Sequence, residues 1–212
     1  DWESAAREGV AAVLAEVDAD VRAIGLDGQM HGTVLIDAAG EPVRPAVLWP
    51  DARAQAELGA WRELPRARAL ANPVTAGMTG PVLAWLCRHE PGVVDRAATV
   101  LLPKDWLRSR LVPGSFVTDP SDASATLLWD LERERWSDEA AGAAGIPPRL
   151  LPEVMASGAS AGAVPADVAA VWGLPAGIPV AVGCADAANT RAASAEPTRS
   201  GSAAATTVAQ GS

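Results

Sequence analysis

"IGLDGQMHGTVLIDAAGEPVRPAVLWPDARA", residues 24–54, is the stretch whose reading decides the fold. The run from Val21 to Leu26, apolar apart from Arg22 and Gly25, reads as a strand, and a histidine set between glycines comes directly after it: Gly28-Gln29-Met30-His31-Gly32. A buried strand needs no such punctuation. A loop that brings backbone and an imidazole close to a small ligand does. Beyond it, Thr33 to Ile36 and Ala46 to Trp49 flank the turn-forming "DAAGEP", so a hairpin or meander is expected. His31 alone decides nothing, because a single histidine between glycines fits many loops.

Upstream, "DWESAAREGVAAVLAEV" carries Ala5, Val10, Val13, Leu14 and Val17 at helical spacings. The chain starts without Met and inside this helix, and is expected to be cut from something longer. Downstream, Ala52 to about Leu70 is helical and charged with Pro65 interrupting it, and Pro81 sits in the first turn of a helix through "VLAWLCRHE" that Pro91 and Gly92 stop. "TVLLP" is a second strand, "KDWLRSRLV" a helix, and Ser137 an N-cap for "DEAAGAAG". The proline-rich Ile146 to Pro152 reads as an ordered connection. "SDAS", residues 121–124, reads as side chain to backbone turns. Ile178 to Val182 is a short strand ending at Gly183, and Asp186 stands at its junction with an alanine-rich, helix-compatible run. A strand end delivers a carboxylate to a cleft, and a general base is suited to that place; a helix cap is the alternative for Asp186. "TRSGSAAATTVAQGS" suggests a turn and one more short strand.

Composition narrows the function. With 212 residues, 49% of them hydrophobic, the chain can bury a real core. The net charge of −9 and scattered arginines argue against nucleic acid. Cys87 and Cys184 make neither a zinc spacing nor a disulfide framework, which suits a reducing cytoplasm. No apolar stretch approaches the roughly 18 residues of a membrane span. No GxxxxGK[ST] phosphate loop is present. Trp49, Trp85, Trp106, Trp129 and Trp172 sit in apolar context and read as core and rim packing.

Taken in order and spacing, "IGLDGQMHGTVLIDAAGEPVRPAVLWPDARA", "LLPKDWLRSRLVPGSFVTDPSDASATLLWDL" and "VAVGCADAAN" resemble the FGGY carbohydrate kinases over essentially the whole chain, most closely the branch that phosphorylates D-xylulose. The resemblance implies an α/β, ribonuclease H-like fold of the actin and hexokinase type, in which two domains close over a cleft where ATP and Mg²⁺ meet an open-chain ketose. Residues 1–176 would be most of the sugar-binding first domain, and 177–212 its end or the start of the nucleotide-binding second. By that likeness Asp186 is the base for the attacking sugar hydroxyl. Met30 and His31, with Gln29, line the sugar pocket, and Asp51 and Arg53 match "WxDxR" near the same cleft, an internal ion pair being the alternative. One carboxylate within reach of the nucleophile is the main side-chain chemistry such a transfer needs. The intact parent would convert D-xylulose to D-xylulose 5-phosphate in the cytoplasm, a homodimer being plausible for the family. No metal ligand is assigned in this chain.

Departures accompany the matches. Ala187 stands where these kinases carry Asn after the catalytic Asp, and Val82 replaces the Lys of "PKLLW". "TTVAQGS" is a loose echo of a phosphate-binding turn, leaving Gly211 as a weak nucleotide contact. The family's opening "DLGTS" turn and nearly all of the second domain would lie outside the chain, so the isolated chain is expected not to turn over. The rivals are a degenerate kinase-like protein that binds a sugar or partner without catalysis, and a kinase for another ketose or polyol.

Overall fold

The computed structural model describes residues 1–65, 67–70, 72–188 and 205–209. Asp1 caps α1 (Trp2–Glu16), its Oδ1 accepting from the Ser4 amide at 2.8 Å. The helix forms as its spacing predicts, but the apolar face expected of it is only partly covered. Ala6 is its buried residue, while Ala5, Val13 and Val17 are exposed. Ala6 and Val10 pack on the sheet core, and at the helix start Trp2 meets Trp106 edge-on and Glu3 pairs with Arg110.

β1 (Ile24–Gly28) begins later than the apolar run and continues through Asp27 into the glycine loop. β2 (Val34–Ile36) is buried on both faces: Leu35 joins one core cluster, Val34 and Ile36 another, as strand alternation requires. The expected hairpin is only partly formed. Asp37 Oδ1 accepts from the Ala39 and Glu41 amides to make the turn, but the return limb meets β2 and the preceding Thr33 only through the isolated bridges Ile36↔Pro42 and Thr33↔Val47 and a bond from Val43 N to Leu35 O at 2.9 Å. Pro42 and Pro45 have no amide hydrogen to extend a ladder.

The next segment is broken, with 3-10 turns at Arg53–Leu58 and Ala67–Leu70 on either side of α2 (Gly59–Arg62). α3 (Thr79–His89) holds Pro81 in its first turn. Pro91 ends it as expected, and also opens α4 (Pro91–Arg96) at its first position, where a missing amide hydrogen costs nothing. β3 (Thr99–Leu101) is β2's antiparallel partner, with Leu35 opposite Val100. Next come α5 (Pro103–Leu111), β4 (Val117–Thr118) and α6 (Pro120–Ser124), then the antiparallel pair β5 (Trp129–Asp130) and β6 (Arg135–Trp136). α7 (Asp138–Ala143) is capped by Ser137 Oγ, and β7 (Glu153–Val154) lies parallel to β4. β8 (Ser160–Ala163), α8 (Ala166–Trp172), β9 (Pro179–Ala181), β10 (Cys184–Ala185) and β11 (Ala205–Ala209) complete the described elements.

The main sheet is built on β1, which pairs in parallel with β9, β10 and β11; β8 pairs antiparallel with β9. Ile24 faces Val180 and Asp27 faces Cys184, three steps on β1 against four on its partner. β9 and β10 are therefore one strand with an extra residue at Val182–Gly183, a bulge of the kind that re-aims the chain beyond it. Gly183 has φ +86°, and a Cβ there would lie 2.3 Å from Leu26 O. Leu26 and Val180 of this sheet pack with Leu107, Leu111 and Trp172. A second core gathers Trp61, Val82, Leu86 and Leu128 around α3, with Trp61 Nε1 donating to Leu127 O at 2.7 Å. Among the described residues no helix is long and apolar enough to cross a membrane.

Candidate active site

β1 and β10 run side by side in the same direction, with Gly28 opposite Ala185. Gln29-Met30-His31 leaves the end of one strand and Asp186 the end of the other. The carboxyl edge of parallel strands is where α/β folds assemble their sites. The two stretches singled out in the sequence, about 150 residues apart, are brought to one edge by this pairing.

The glycines beside His31 serve packing more than ligand approach. A Cβ on Gly32 would lie 2.5 Å from Pro103 Cγ, and one on Gly28 would lie 3.1 Å from Lys104 Cβ, so both glycines make room for the start of α5. His31 itself takes the left-handed conformation, φ +69°, uncommon for a residue with a side chain. Two contacts hold it. Its Nδ1 lies 2.7 Å from Ala125 O, and its own carbonyl accepts from Thr79 Oγ1 at 3.1 Å. A carbonyl only accepts, so Nδ1 carries the hydrogen and Nε2 of the neutral ring is left as an acceptor. Gln29 and Met30 are half-buried on the same loop.

Asp186 is exposed and opens a helical turn, residues 186–188; its Oδ1 accepts from the Ala187 amide at 2.7 Å. Asp51 and Arg53 bind each other. The guanidinium forks onto the carboxylate at 2.8 to 3.0 Å, and it lies over the Trp85 ring at 5.0 Å, 3.9 Å from Glu90. Arg53 holds the Asp51 carboxyl below its usual range, and Asp51 raises Arg53 in turn. Trp85 lies six residues along α3 from Thr79, about 9 Å at helical rise. Trp49, read as packing, is 59% exposed. Gly211 lies outside the described residues.

Sequence reasoning missed the charged cluster beneath these strand ends. Lys104 Nζ lies 2.6 Å from Asp105, 3.1 Å from Asp119 and 3.0 Å from Asp122, all fully buried. Arg108, equally buried, donates to Asp105 Oδ1 at 2.7 Å, to Val182 O at 2.7 Å and to Val117 O. Three carboxylates thus share two cations. Burial draws Asp122 up to about 7, with Asp105 and Asp119 adding and Lys104 opposing. Burial also pushes on Asp119, but Lys104, Ser121 and Ser157 outweigh it and its carboxyl ends below its ordinary value. Lys104 ends above its own, since the three aspartates outweigh desolvation. The turns expected of "SDAS" are present, because Asp119 caps α6 by accepting from the Ser121 and Asp122 amides. What the local reading omitted is a long-range bond: Ser121 Oγ also accepts from the Ala185 amide at 2.9 Å. The signal was four charges in "PKD" and "DPSD" on elements that have to pack under a sheet.

Residues 2–192 match the FGGY family of carbohydrate kinases, N-terminal domain. The chain belongs to this family. It is 39% identical over 169 residues to the xylulose kinase of Escherichia coli K12, covering 79% of this chain and 34% of that protein. The xylulose kinase of Lactococcus lactis is 35% identical over 181 residues, 84% of this chain and 36% of its own. The solved xylulose kinase from Rhodospirillum rubrum superposes with a TM-score of 0.78 at 32% identity, over 88% of this chain and 40% of that one. The FGGY chain therefore has the α/β, ribonuclease H-like sugar kinase fold, and it spans about a third of the length of the curated relatives it matches.

The family's ATP and Mg²⁺ find no assigned seat here. Among the described residues no three His, Cys, Asp or Glu side chains converge to hold a metal ion.

Proposed function

We propose that a protein carrying this chain with the remaining length of its relatives phosphorylates a ketopentose, D-xylulose to D-xylulose 5-phosphate, using ATP and Mg²⁺. The observation that carries the reading is the paired ending of β1 and β10, which delivers Gln29-Met30-His31 and Asp186 to one edge. Similarity to xylulose kinases supports the choice of sugar.

In this reading Asp186 is the general base. Its carboxylate accepts the proton of the attacking hydroxyl, and loose phosphoryl transfer asks for little other proton chemistry. His31, with Nδ1 committed to Ala125 O, accepts through Nε2 from a second hydroxyl and so fixes the sugar's orientation. Met30 gives an adaptable apolar wall. Asp51 and Arg53 belong to the rim of the same cleft, with their mutual pair intact. Residues 1–176 form the sugar-binding domain, and residues 177–212 end it or begin the nucleotide-binding one; the pairing of β9 and β10 with β1 supports the former. The isolated 212 residues do not turn over, because transfer requires ATP clamped from the other side. The protein works in the cytoplasm, as a homodimer.

A coupled assay tests both halves. Xylulose-dependent ATP consumption by the protein of relative length, and none by the 212-residue chain, is expected. ATP consumption by the isolated chain would refute its inactivity. One observation favours a second reading: Ala187 offers no side-chain amide where the family's Asn stands. A protein of relative length that binds pentulose yet consumes no ATP would establish that sugar-binding alternative.

A further inference from the structure

The two halves of the candidate site share one support. At its start, α6 meets the Asp186 strand: the Ala185 amide, one residue before Asp186, donates to Ser121 Oγ at 2.9 Å. The Ser121 hydroxyl in turn donates to Asp119 Oδ2. Asp119 cannot drift, because its Oδ1 lies 3.1 Å from buried Lys104 Nζ and its Oδ2 also accepts from Ser157 Oγ at 2.7 Å. Just past the other end of α6, Ala125 O accepts from His31 Nδ1. Ser121 and Ala125 are four residues apart, about 6 Å along a helix, the scale of a small sugar.

The strand before Asp186 needs such a hold. Its bulge at Val182–Gly183 breaks the ladder, and the tethers gather there: Val182 O accepts from Arg108 at 2.7 Å, Gly183 N donates to Ser157 O at 3.0 Å, and Ala185 N donates to Ser121. Of these, the Ser121 bond lies nearest Asp186.

We propose that α6 is the bracket that spaces the two halves of the site, and that Ser121 is a positioning residue that sets Asp186 through the Ala185 amide. This rests on the reading of Asp186 as general base. Ser121 does not touch the sugar; its hydroxyl, oriented by Asp119, fixes the direction in which the chain leaves β10. Loss of that bond lets the carboxylate move while His31 stays on Ala125 O, so the effect falls on kcat and spares sugar affinity.

The test compares Ser121→Ala, Ser121→Thr, which keeps the hydroxyl, and Ser124→Ala, which removes a neighbouring hydroxyl bonded to Ser121 O. Amide hydrogen exchange on the 212-residue chain should quicken at Ala185 by about tenfold or more in Ser121→Ala, with Gly183 unchanged. Ser121→Thr should restore it, and Ser124→Ala should leave it alone. In the protein of relative length, Ser121→Ala should lower kcat about tenfold with the sugar KM within twofold, again restored by Thr. Unchanged Ala185 exchange in Ser121→Ala overturns the tether. Normal kcat in an active protein, or a loss shared by kcat and KM that Thr does not restore, overturns the positioning role. An inactive wild-type protein refutes the kinase reading and the catalytic role built on it, and Ala185 exchange then judges the tether by itself.

Discussion

Replacing Lys104 with Met removes one cation from a cluster in which three buried carboxylates share two. Met fills similar space, so the cost is electrostatic and not a cavity. Arg108 stays with Asp105, and Asp122, drawn up to about 7, already holds a proton about half the time at pH 7 and more at pH 5. Asp119 is therefore the carboxylate left without its partner, and its cheapest response is to take a proton. At about 1.36 kcal/mol per pH unit, neutralising a carboxylate of ordinary value costs about 4 kcal/mol at pH 7 and about 1.5 kcal/mol at pH 5. The first figure falls within the roughly 3 to 5 kcal/mol expected when one member of a buried pair is removed. The stabilisation that Lys104 gives by lowering Asp119 is intact from pH 7 to pH 5 and is lost only below the ordinary carboxylate value; between pH 7 and pH 5 the difference shrinks because protonating the unpartnered carboxyl in the variant becomes cheaper. Urea unfolding of both chains at pH 7 and pH 5 should give a difference near 4 kcal/mol that shrinks to about 1.5 kcal/mol. A difference below about 1 kcal/mol at pH 7, or one that does not change with pH, would refute the assigned electrostatics.

Asp122 works in the opposite sense. Raised to about 7, it holds a proton more tightly folded than unfolded, so stability should decline as pH rises from about 4 towards 7; Asp122→Asn should flatten that decline in a denaturation series, and an unchanged slope would contradict it. Gly77→Ala should cost at least about 2 kcal/mol in urea unfolding, because the new Cβ would stand 1.8 Å from Trp49 O, a backbone atom that cannot swing aside. In steady-state kinetics of the protein of relative length, Asp186→Ala should lower kcat by about 10²- to 10⁴-fold. His31→Ala should act mainly on sugar KM, about tenfold for one lost hydrogen bond; a loss of kcat alone in His31→Ala would count against its binding role.

The sequence carried the elements with local signals. Ser137 capped its helix, Pro81 sits in the first turn of its own, and the "TVLLP" strand formed because short-range chemistry decides each of these. The glycine loop and Asp186 were both visible, and their meeting came only from the parallel pairing of β1 with β10, a contact that no local pattern encodes. Where tertiary packing overrode local pattern, the reading missed. The valines at the N-terminus had helical spacing, but only Val10 packs on the core, while Val13 and Val17 stay exposed. Pro42 and Pro45 cut short a hairpin whose turn was correctly read. Hardest to see was the Lys104 cluster, since buried charges look like surface charges until their partners are known; Ser121 looked like a turn residue because its second partner is 64 residues away.

The most direct test of the central claim, that the loop after β1 and the residue after β10 form one sugar site, is a thermal-shift titration of this chain with D-xylulose beside His31→Ala and Asp186→Ala. At a hundredfold excess over Kd, mass action adds about 2.7 kcal/mol, a rise of about 5 to 10 °C for a chain of this size. That rise is expected in the wild type and about half of it in each variant, since one lost hydrogen bond weakens Kd about tenfold and leaves about 1.4 kcal/mol. A rise left whole by both substitutions, or a cooperative transition that D-xylulose does not move, would contradict the claim.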